Sequence, residues 1–339
     1  MDSTRRTTPR VVIAPDKFKG TLTAGDAADA MASAVRDRWP DAVLTVIPMA
    51  DGGDGTLDAL GGPNRRDTVT GPLGRPADAD WRLDGDLAAI ESAAASGLVL
   101  AGGAEHNDPW GATSRGVGEL LALALDAGAR RIVVGMGGSA MTDGGRGALE
   151  ALGDRLPFAP GRVVVLTDTT VAFVDAARVF GPQKGADARM VERLSARLTT
   201  DAAEWADRFG VAVADTPRSG AAGGLSGALL AAGAEVVDGA AFVAESRGLA
   251  DAVAAADLVL TGEGAFDATS LRGKGPGHVL ALAAARGVPA SVIAGVVAPD
   301  VDGPRVFSMT RLVGAEFALR EPGLAVRRAT AEALSRLDP

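Results

Sequence analysis

The stretch Val11-Val-Ile-Ala-Pro-Asp-Lys-Phe-Lys-Gly20 joins a short apolar run to a loop that carries charged side chains. The apolar run predicts a buried β-strand, which ends at the proline. Beyond the loop, Thr23 and Asp26 have the spacing of a capping box, and they predict a helix that runs to Trp39 and stops at Pro40. A buried strand followed by an amphipathic helix is the repeating unit of a layered α/β fold.

The alternation of short apolar runs and helical patterns continues along the chain. Further helices are predicted over residues 114–127 and 276–286, and a glycine follows each of them. Because strands that alternate with helices usually pair in parallel, the pattern predicts an α/β protein with a largely parallel sheet. Strands are predicted at residues 11–14, 43–48, 87–90, 131–135, 163–167, 258–261, 291–294 and 306–309.

The length of the chain, 339 residues, exceeds what one hydrophobic core usually supports and favours two domains. Residues 61–86 are rich in Gly, Pro, Asp and Arg and are predicted to form a crossing between domains. Residues 246–256 give a second, weaker candidate for a domain boundary.

The amino-acid composition excludes several classes of function. Cysteine is absent, so a disulfide framework, thiolate zinc sites and a cysteine nucleophile are excluded. The two histidines, His106 and His278, are too few for a histidine-centred triad or a multi-histidine metal site. The net charge of −9 argues against a general nucleic-acid binder. The polar N-terminal residues and the lack of an apolar stretch of about 18 residues argue against a signal peptide and a membrane span, so we expect a cytoplasmic protein without nucleic-acid or membrane partners.

Lysine occurs at only four positions, Lys17, Lys19, Lys184 and Lys274, whereas arginine is used at every other Lys or Arg position. Three of the four lysines directly precede a glycine. A glycine lets the backbone come close to a ligand, and a lysine beside it can neutralise a phosphate group. The placement of the lysines therefore indicates phosphate-binding loops.

Carboxylates or glycine-rich turns follow nearly every predicted strand. In open α/β sheets, ligands bind beyond the carboxyl ends of the strands. Magnesium is typically held by one or two carboxylates together with substrate phosphates, glycine turns cradle phosphates, and an aspartate can accept the proton of an acceptor hydroxyl. The pattern therefore predicts a phosphoryl-transfer site. The strand-end groups are Asp16 to Gly20, Asp51 to Thr56, Glu91, Gly137 to Gly145, Asp168, and Glu263 to Asp267.

Two common nucleotide-binding patterns are absent or incomplete. No P-loop sequence occurs, because Ala268 stands where a glycine should precede Gly273-Lys274. The run Gly135-Met-Gly-Gly-Ser-Ala140 matches the loose dinucleotide pattern, but no acidic residue for a ribose follows at a strand end about 20 residues later. A P-loop enzyme and a nicotinamide-dependent dehydrogenase are therefore disfavoured.

Taken together, these motifs resemble those of the bacterial type-1 glycerate kinase family. The resemblance follows the order of the chain from about Val11 to Val297 and so covers most of it. Its most specific parts are the runs Ala50-Asp-Gly-Gly-Asp-Gly-Thr56 and Phe180-Gly-Pro-Gln-Lys-Gly-Ala186. Further matching runs are Val12 to Gly20, Thr113-Ser-Arg-Gly-Val-Gly-Glu119, Gly137-Gly-Ser-Ala140, Asp143-Gly-Gly145, Gly220-Ala-Ala-Gly-Gly224, Thr261-Gly-Glu-Gly264 and Ser270-Leu-Arg-Gly-Lys274.

The resemblance implies a fold of two α/β domains. A flavodoxin-like domain, residues 85–249, would be inserted into a second, Rossmann-like domain with a restriction-endonuclease-like core, formed by residues 1–84 and 250–339. The resemblance also implies ATP- and Mg²⁺-dependent phosphorylation of D-glycerate to 2-phosphoglycerate in a cleft between the two domains. Glycerate and ATP are then the small-molecule partners, and a homodimer is left open as the assembly.

The strand-end pattern and the resemblance together give the candidate site residues. Catalytic roles are expected of Asp16, Lys17, Lys19, Asp51, Asp168 and Lys184. Magnesium ligands are expected to be Asp168, Glu263 and Asp267. Binding of substrate or nucleotide is expected of Asp54, Gly55, Thr113, Ser114, Arg115, Gly137, Gly138, Ser139, Asp143, Gly223, Gly224 and Lys274.

Three departures from the family pattern leave alternatives open. Thr142 stands where the family usually has Asn, the run Asp168-Thr-Thr-Val-Ala-Phe173 lacks the usual Asn and Pro, and residues 152–163 form a shorter segment than usual. Asn offers both a donor and an acceptor, and Thr cannot reproduce its reach. The alternatives are a kinase for another small hydroxy acid or polyol, 3-phosphoglycerate as the product, and a non-catalytic nucleotide-binding regulator.

Overall fold

The computed structural model describes residues 8–271, 274–303 and 305–336. The strands are β1 (Arg10–Ile13), β2 (Val43–Val46), β3 (Arg65–Thr70), β4 (Pro76–Asp84), β5 (Leu87–Glu91), β6 (Arg131–Gly135), β7 (Val163–Thr167), β8 (Glu235–Asp238), β9 (Leu258–Phe266), β10 (Ala290–Val297) and β11 (Val306–Ser308). The helices are α1 (Ala24–Arg38), α2 (Thr56–Ala59), α3 (Ser92–Ser96), α4 (Arg115–Asp126), α5 (Arg146–Leu152), α6 (Ala176–Phe180), α7 (Ala188–Phe209), α8 (Leu225–Ala231), α9 (Gly239–Ser246), α10 (Leu249–Ala254), α11 (Gly275–Ala285), α12 (Met309–Val313), α13 (Ala315–Arg320) and α14 (Pro322–Ser335).

The chain folds into two compact units. Unit 1 comprises the described residues of Met1–Asp51 and Ala240–Pro339, and unit 2 comprises Gly52–Gly239. Both ends of the chain therefore contribute to unit 1, and unit 2 is inserted between them. From the sequence we expected the domain boundaries between residues 84 and 85 and between residues 249 and 250. Those boundaries stay a prediction.

Unit 1 is built on a five-stranded sheet in which every neighbouring pair is parallel, in the order β2-β1-β9-β10-β11. Helices α1 and α14 pack on each other over this sheet and enclose the core. Counted along the unit, the strand order is 2-1-3-4-5, which is the flavodoxin-like order. The resemblance attached the flavodoxin-like label to the inserted domain, whereas the structure has this order in unit 1. The α/β fold class is confirmed, and the finer domain labels are not.

Unit 2 is built on a six-stranded sheet whose order follows the chain, β3-β4-β5-β6-β7-β8. The first three strands pair antiparallel, and β5 to β8 pair in parallel. Strands β6 and β7 are almost wholly apolar and buried, as expected for strands covered on both faces, whereas the edge strand β8 is only partly buried. The carboxyl ends of β5, β6 and β7 thus lie along one edge of the sheet.

Residues 61–86, which the sequence predicts as a crossing between domains, contain the antiparallel strands β3 and β4. Polar pairs link these strands: Arg66 donates to both carboxylate oxygens of Asp80, and Thr68 Oγ1 donates to Asp78 Oδ1. An antiparallel pair can expose one polar face to water. The sequence therefore did not predict these strands, because their composition is typical of loops. The short strand β8 was missed as well.

The predicted helices with clear end signals are confirmed. Thr23 Oγ1 accepts a hydrogen bond from the Asp26 backbone N–H, and Asp26 Oδ2 accepts one from Thr23 N, which completes the capping box of α1. Helices α4 and α11 lie where the sequence predicts them. Among the described residues, no helix is long and apolar enough to cross a membrane.

Candidate active site

In unit 1, two acidic side chains lie at the carboxyl ends of adjacent parallel strands. Asp16 follows β1 and Glu263 lies near the end of β9, and the Asp16 N–H donates to the carbonyl oxygen of Gly262 at 2.8 Å. Both side chains are buried, with 5% of Asp16 and 8% of Glu263 exposed. The strand-end pattern therefore brings two of the predicted site residues together.

The environment of Asp16 shifts the ionisation of its carboxyl group towards neutral pH. Burial, together with the negative charges of Asp51 and Glu263, raises the pKa of Asp16 to about 7. The charge of Lys17 and its backbone N–H, which donates to Asp16 Oδ1 at 2.7 Å, oppose this rise. A carboxyl group with a pKa near neutrality can accept or release a proton at physiological pH. The Lys17 ammonium also lies 3.6 Å from Asp51 Oδ1, whereas Lys19 lies in an exposed turn.

Glu263 has an unsatisfied oxygen. Its Oε1 is buried and has no hydrogen-bond partner among the described residues. Burial raises the pKa of Glu263, and the charges of Asp267 and Asp51 add to the rise, whereas Ser270 and Lys274 oppose it. Burying a charged carboxylate oxygen without a partner costs free energy, and a bound cation would compensate this cost.

Asp267 differs from its neighbour Glu263. Its Oδ1 accepts hydrogen bonds from the backbone N–H and hydroxyl of Thr269, at 2.7 and 2.6 Å, and from Ser270 N. These bonds lower the pKa of Asp267 and shape the turn that follows β9. Among the described residues, no group of three or more His, Asp or Glu side chains is arranged to hold a metal ion.

Helix α11 begins beside Asp16. Lys274 occupies its N-cap position, and a Cβ atom added at Gly275 would lie 2.9 Å from Asp16 Oδ2. The glycine therefore lets the first turn of the helix come close to the carboxylate. The partial positive charge of a helix N-terminus suits such an anionic group.

In unit 2, two glycine-rich loops pack against each other. A Cβ atom added at Gly137 would lie 2.5 Å from Gly53 Cα, and one added at Gly138 would lie 2.5 Å from Asp54 Oδ1. The Met136 N–H donates to Gly52 O at 2.7 Å and fixes the two loops together. Only glycine allows this approach. The structure thus brings together three predicted binding residues, Asp54, Gly137 and Gly138, and Asp54 is exposed. Gly55 follows in the same loop and is the N-cap residue of α2.

Lys184 lies beneath the loop that follows β6. Its side chain is buried, with 2% exposed, and its Nζ donates to Ser139 Oγ at 3.0 Å and to Met141 O at 2.6 Å. Burial lowers the pKa of Lys184 to about 7, and the charge of Asp143 opposes this shift. Both hydrogen bonds go to the loop itself. The lysine therefore supports the conformation of residues 139–141.

Asp143 joins the starts of two helices. Its Oδ2 accepts from Ser114 N and Ser114 Oγ, each at 2.8 Å, and from Gly147 N at 3.2 Å. Its Oδ1 accepts from Gly145 N. These bonds tie the N-terminus of α4 to that of α5. Thr113, Ser114 and Asp143 are therefore brought together, and their mutual bonds maintain the architecture of this edge.

Two other glycines, Gly223 and Gly224, complete the packing around the β6 loop. A Cβ atom added at Gly223 would lie 2.1 Å from Met141 O, and Gly144 N donates to Gly223 O at 3.1 Å. A left-handed backbone at both glycines permits this approach. In contrast, Arg115 lies on the surface, where its Nε donates to Glu119 Oε1 at 3.0 Å.

Comparison with known proteins decides which family the chain represents. A family model described as "Glycerate kinase family" matches residues 11–168 and 162–334. The chain belongs to the glycerate kinase family. The resemblance found in the sequence is thereby confirmed.

Named relatives of this family member cover most of its length. It is 39% identical over 330 residues to a glycerate 2-kinase of Escherichia coli K12, covering 86% of this chain and 86% of the relative. It is 39% identical over 331 residues to a glycerate kinase of Bacillus subtilis 168, again covering 86% of each. A crystal structure described as "putative glycerate kinase 2" from Salmonella typhimurium LT2 is 35% identical, with a TM-score of 0.81 and 98% of each chain covered. The chain is therefore an enzyme, a kinase of a family whose substrates are a nucleotide and a small molecule.

Two polar residues of this glycerate kinase family member were not among the predicted site residues. Glu91, at the end of β5, accepts a hydrogen bond from Leu57 N at 2.8 Å and so caps α2, and burial raises its pKa. Because Glu91 ends a predicted strand, the sequence could have placed it among the candidate site residues. Arg218 donates from Nη1 to Thr167 O at 2.6 Å, at the end of β7 and directly before the exposed Asp168. Nothing in the sequence distinguishes Arg218 from the many other arginines.

Proposed function

We propose that this chain transfers a phosphoryl group from ATP, with Mg²⁺, to D-glycerate and releases 2-phosphoglycerate. The names of the relatives support the proposal, among them a glycerate 2-kinase. The observation that carries it is the pair of buried carboxyl groups of Asp16 and Glu263 at the ends of two adjacent parallel strands, with the charge of Lys17 beside them. Phosphoryl transfer depends on positioning of the reacting groups and on compensation of their negative charge. The carboxyl groups can hold a cation, and the cation and Lys17 would compensate that charge.

The carboxyl groups of unit 1 fit a divalent cation. The buried Oε1 of Glu263 has no partner among the described residues, and burial raises the pKa of both Glu263 and Asp16. Magnesium usually takes one or two protein carboxylates and completes its shell with phosphate and water oxygens. We therefore propose Glu263 as a ligand of Mg²⁺, which when bound would neutralise charge on the phosphates. Asp267 and Asp168 stay proposed ligands on the sequence pattern.

Lysines are proposed to have two different duties. Lys17, Lys19 and Lys274 are proposed to compensate phosphate charge directly. Lys184 is proposed as a positioning residue, because its ammonium group is hydrogen-bonded to the β6 loop. The loop residues proposed to contact nucleotide or substrate are Asp54, Gly55, Thr113, Ser114, Arg115, Gly137, Gly138, Ser139, Asp143, Gly223 and Gly224.

The proton of the acceptor hydroxyl is proposed to pass to Asp16, Asp51 or Asp168. Replacement of each by Asn removes the ability to accept a proton while keeping the shape of the side chain. The variant that lacks the base should lose the most in kcat, by about 10²-fold or more, with a smaller change in KM. Steady-state kinetics of the three variants therefore distinguish the base.

A kinase for a different hydroxy acid or polyol is less well supported. It was motivated by three departures from the family pattern: Thr142, Thr170 and the shortened segment of residues 152–163. The side chain of Thr142 is fully buried, and its backbone oxygen accepts a hydrogen bond from Arg197 Nη2 at 2.6 Å. Its Oγ1 is also buried and has no hydrogen-bond partner among the described residues, so the substitution at position 142 bears first on the packing of this loop.

The proposed function is tested with a panel of C3–C5 hydroxy acids and polyols at equal concentration, with ATP and Mg²⁺. We expect the highest kcat/KM for D-glycerate, and we expect phosphorus NMR to show 2-phosphoglycerate as the product. A much higher kcat/KM for another acceptor would contradict D-glycerate as the substrate. Formation of 3-phosphoglycerate would contradict the proposed position of phosphorylation. ATP that stays unconsumed with every acceptor, although it binds, would instead support a regulator.

A further inference from the structure

Arg218 has a backbone conformation that is unusual for a bulky residue. Its φ is 73°, in the left-handed region, and among the described residues only Ala222 shares a positive φ without being a glycine. Residues with a Cβ atom are strained there, and such strain persists where the surroundings hold it, often at functional sites. The contacts of the Arg218 side chain can therefore show why this strained backbone is kept.

The guanidinium group of Arg218 links the carboxyl ends of two neighbouring strands. Nη1 donates to Thr167 O at 2.6 Å, and Nη2 donates to Asp238 Oδ2 at 3.1 Å. Thr167 and Asp238 are the last residues of β7 and β8 and are paired in register. The guanidinium group thus lies at the edge of the sheet where ligands of open α/β sheets bind.

The Arg218 side chain is partly exposed at this edge. It is 26% exposed, whereas Lys184, a cation that the sequence predicted for the site, is buried and hydrogen-bonded to the β6 loop. A guanidinium group has five N–H donors in a planar fork, which matches the two oxygens of a carboxylate. Because Thr167 O and Asp238 fix the plane of the fork, little conformational freedom is left to lose on binding.

We propose that Arg218 binds the carboxylate of the hydroxy-acid acceptor and so selects an acid over an uncharged polyol. Asp238 and Thr167 O orient the guanidinium group, and Arg218 accepts backbone strain to place it at this edge. The inference rests on the proposed function, because it concerns the acceptor of that reaction. It adds a residue that selects the acceptor by its charge.

The test compares the wild type with Arg218→Met and Arg218→Gly, on D-glycerate and on its uncharged amide, glyceramide. Arg218→Gly is included because glycine suits the left-handed backbone and should fold where Met does not. We expect KM for D-glycerate to rise about 100-fold in both variants with little change in kcat, because the lost contact is present in both ground and transition states. The KM or Kd for glyceramide should change less than about threefold.

Two further variants make the test specific. Arg162 Nη1 donates to Ala129 O at 2.6 Å at the amino end of the same sheet, so Arg162→Met removes a similar arginine–carbonyl bond away from the proposed site. It should leave KM for D-glycerate unchanged. Arg218→Lys should recover part of the affinity, because it restores the charge without the fork.

Calorimetric titration with D-glycerate, without nucleotide, separates this inference from the proposed function. Binding by the wild type that is lost in the Arg218 variants supports the inference, even if no turnover occurs. Wild-type turnover with an unchanged KM in both variants overturns the inference and leaves the function intact. Equal losses for D-glycerate and glyceramide also overturn it, since they indicate a merely structural role. A wild type that neither binds nor phosphorylates D-glycerate overturns both.

Discussion

The ammonium nitrogen of Lys184 lies 2.6 Å from the carbonyl oxygen of Met141, inside the protein. A second hydrogen bond, to Ser139 Oγ, holds the same nitrogen under the β6 loop. The lysine thereby fixes a loop whose neighbours are the glycines at positions 137 and 138. We therefore expect the function of Lys184 to depend on the size and shape of its side chain as well as on its charge.

We expect Lys184→Met and Lys184→Arg to fold and to lose turnover strongly, by about 10²-fold. Methionine has no donor for the loop, and the larger, planar guanidinium group does not fit a buried position shaped for an ammonium. In a double-mutant cycle of unfolding free energies, Lys184→Met and Ser139→Ala should be coupled by about 0.5–3 kcal/mol. Near wild-type kcat/KM for Lys184→Arg, or additive effects in the cycle, would contradict this role.

The stability of the protein should depend on pH through Lys184. Its pKa is about 7 in the folded protein, against 10.5 for the ordinary group. Between these values the unfolded chain binds more protons than the folded protein, so the free energy of unfolding rises with pH, by at most about 1.4 kcal/mol per unit. Urea denaturation from about pH 7 to pH 10 should therefore show the wild type gaining stability relative to Lys184→Met. A difference that stays constant over this range would exclude the titration of a buried ammonium.

Asp143→Asn should destabilise unit 2. The carboxylate accepts bonds from Ser114 and from backbone N–H groups at the start of α5, and the amide nitrogen of Asn would face these donors with another donor. We expect a loss of about 2–4 kcal/mol in the free energy of unfolding. Asp126→Asn is the control, because Asp126 forms an exposed pair with Arg155 and should change stability by about 0.5 kcal/mol or less. Equal effects of the two substitutions would contradict the role of Asp143.

Gly137→Ala should reduce turnover through packing alone. The added Cβ atom would lie 2.5 Å from Gly53 Cα, so one of the two loops must move. We expect kcat/KM to fall by about tenfold or more, since small displacements of positioning groups slow the reaction strongly. Gly323→Ala has open space around its Cβ atom and should leave kcat/KM unchanged. A Gly137→Ala variant as active as Gly323→Ala would show that the close approach is not needed.

Features governed by local chemistry could be predicted from the sequence. The capping box at Thr23 and Asp26 marks the start of α1 because both groups act within one turn, and the apolar runs of β6 and β7 match their strands because both faces are buried. The strand-end carboxylates Asp16 and Glu263 could be placed together because parallel strands end at one edge.

Features that depend on distant parts of the chain could not be predicted. Lys184 precedes a glycine, which suggests a phosphate-binding loop, but the burial of its ammonium group depends on residues 139–141, more than 40 positions away. Likewise, the left-handed backbone of Arg218 and its bond to Thr167 O leave no mark in the local sequence. Strands β3 and β4 were missed because polar pairs between the strands, such as Arg66 with Asp80, outweigh in the sequence the few apolar residues that they bury.

The measurement that tests the central claim most directly is the release of ADP by the purified, folded wild type with D-glycerate, ATP and Mg²⁺, beside Asp16→Asn and Asp37→Asn. Asp37 is an exposed residue of unit 1 that pairs with Arg327 and serves as the matched control. The account predicts ADP release that requires D-glycerate and Mg²⁺, is unchanged in Asp37→Asn and falls by about tenfold or more in Asp16→Asn, with a fall of about 10²-fold where Asp16 is the base. Release that is no faster with D-glycerate than without it would contradict the account.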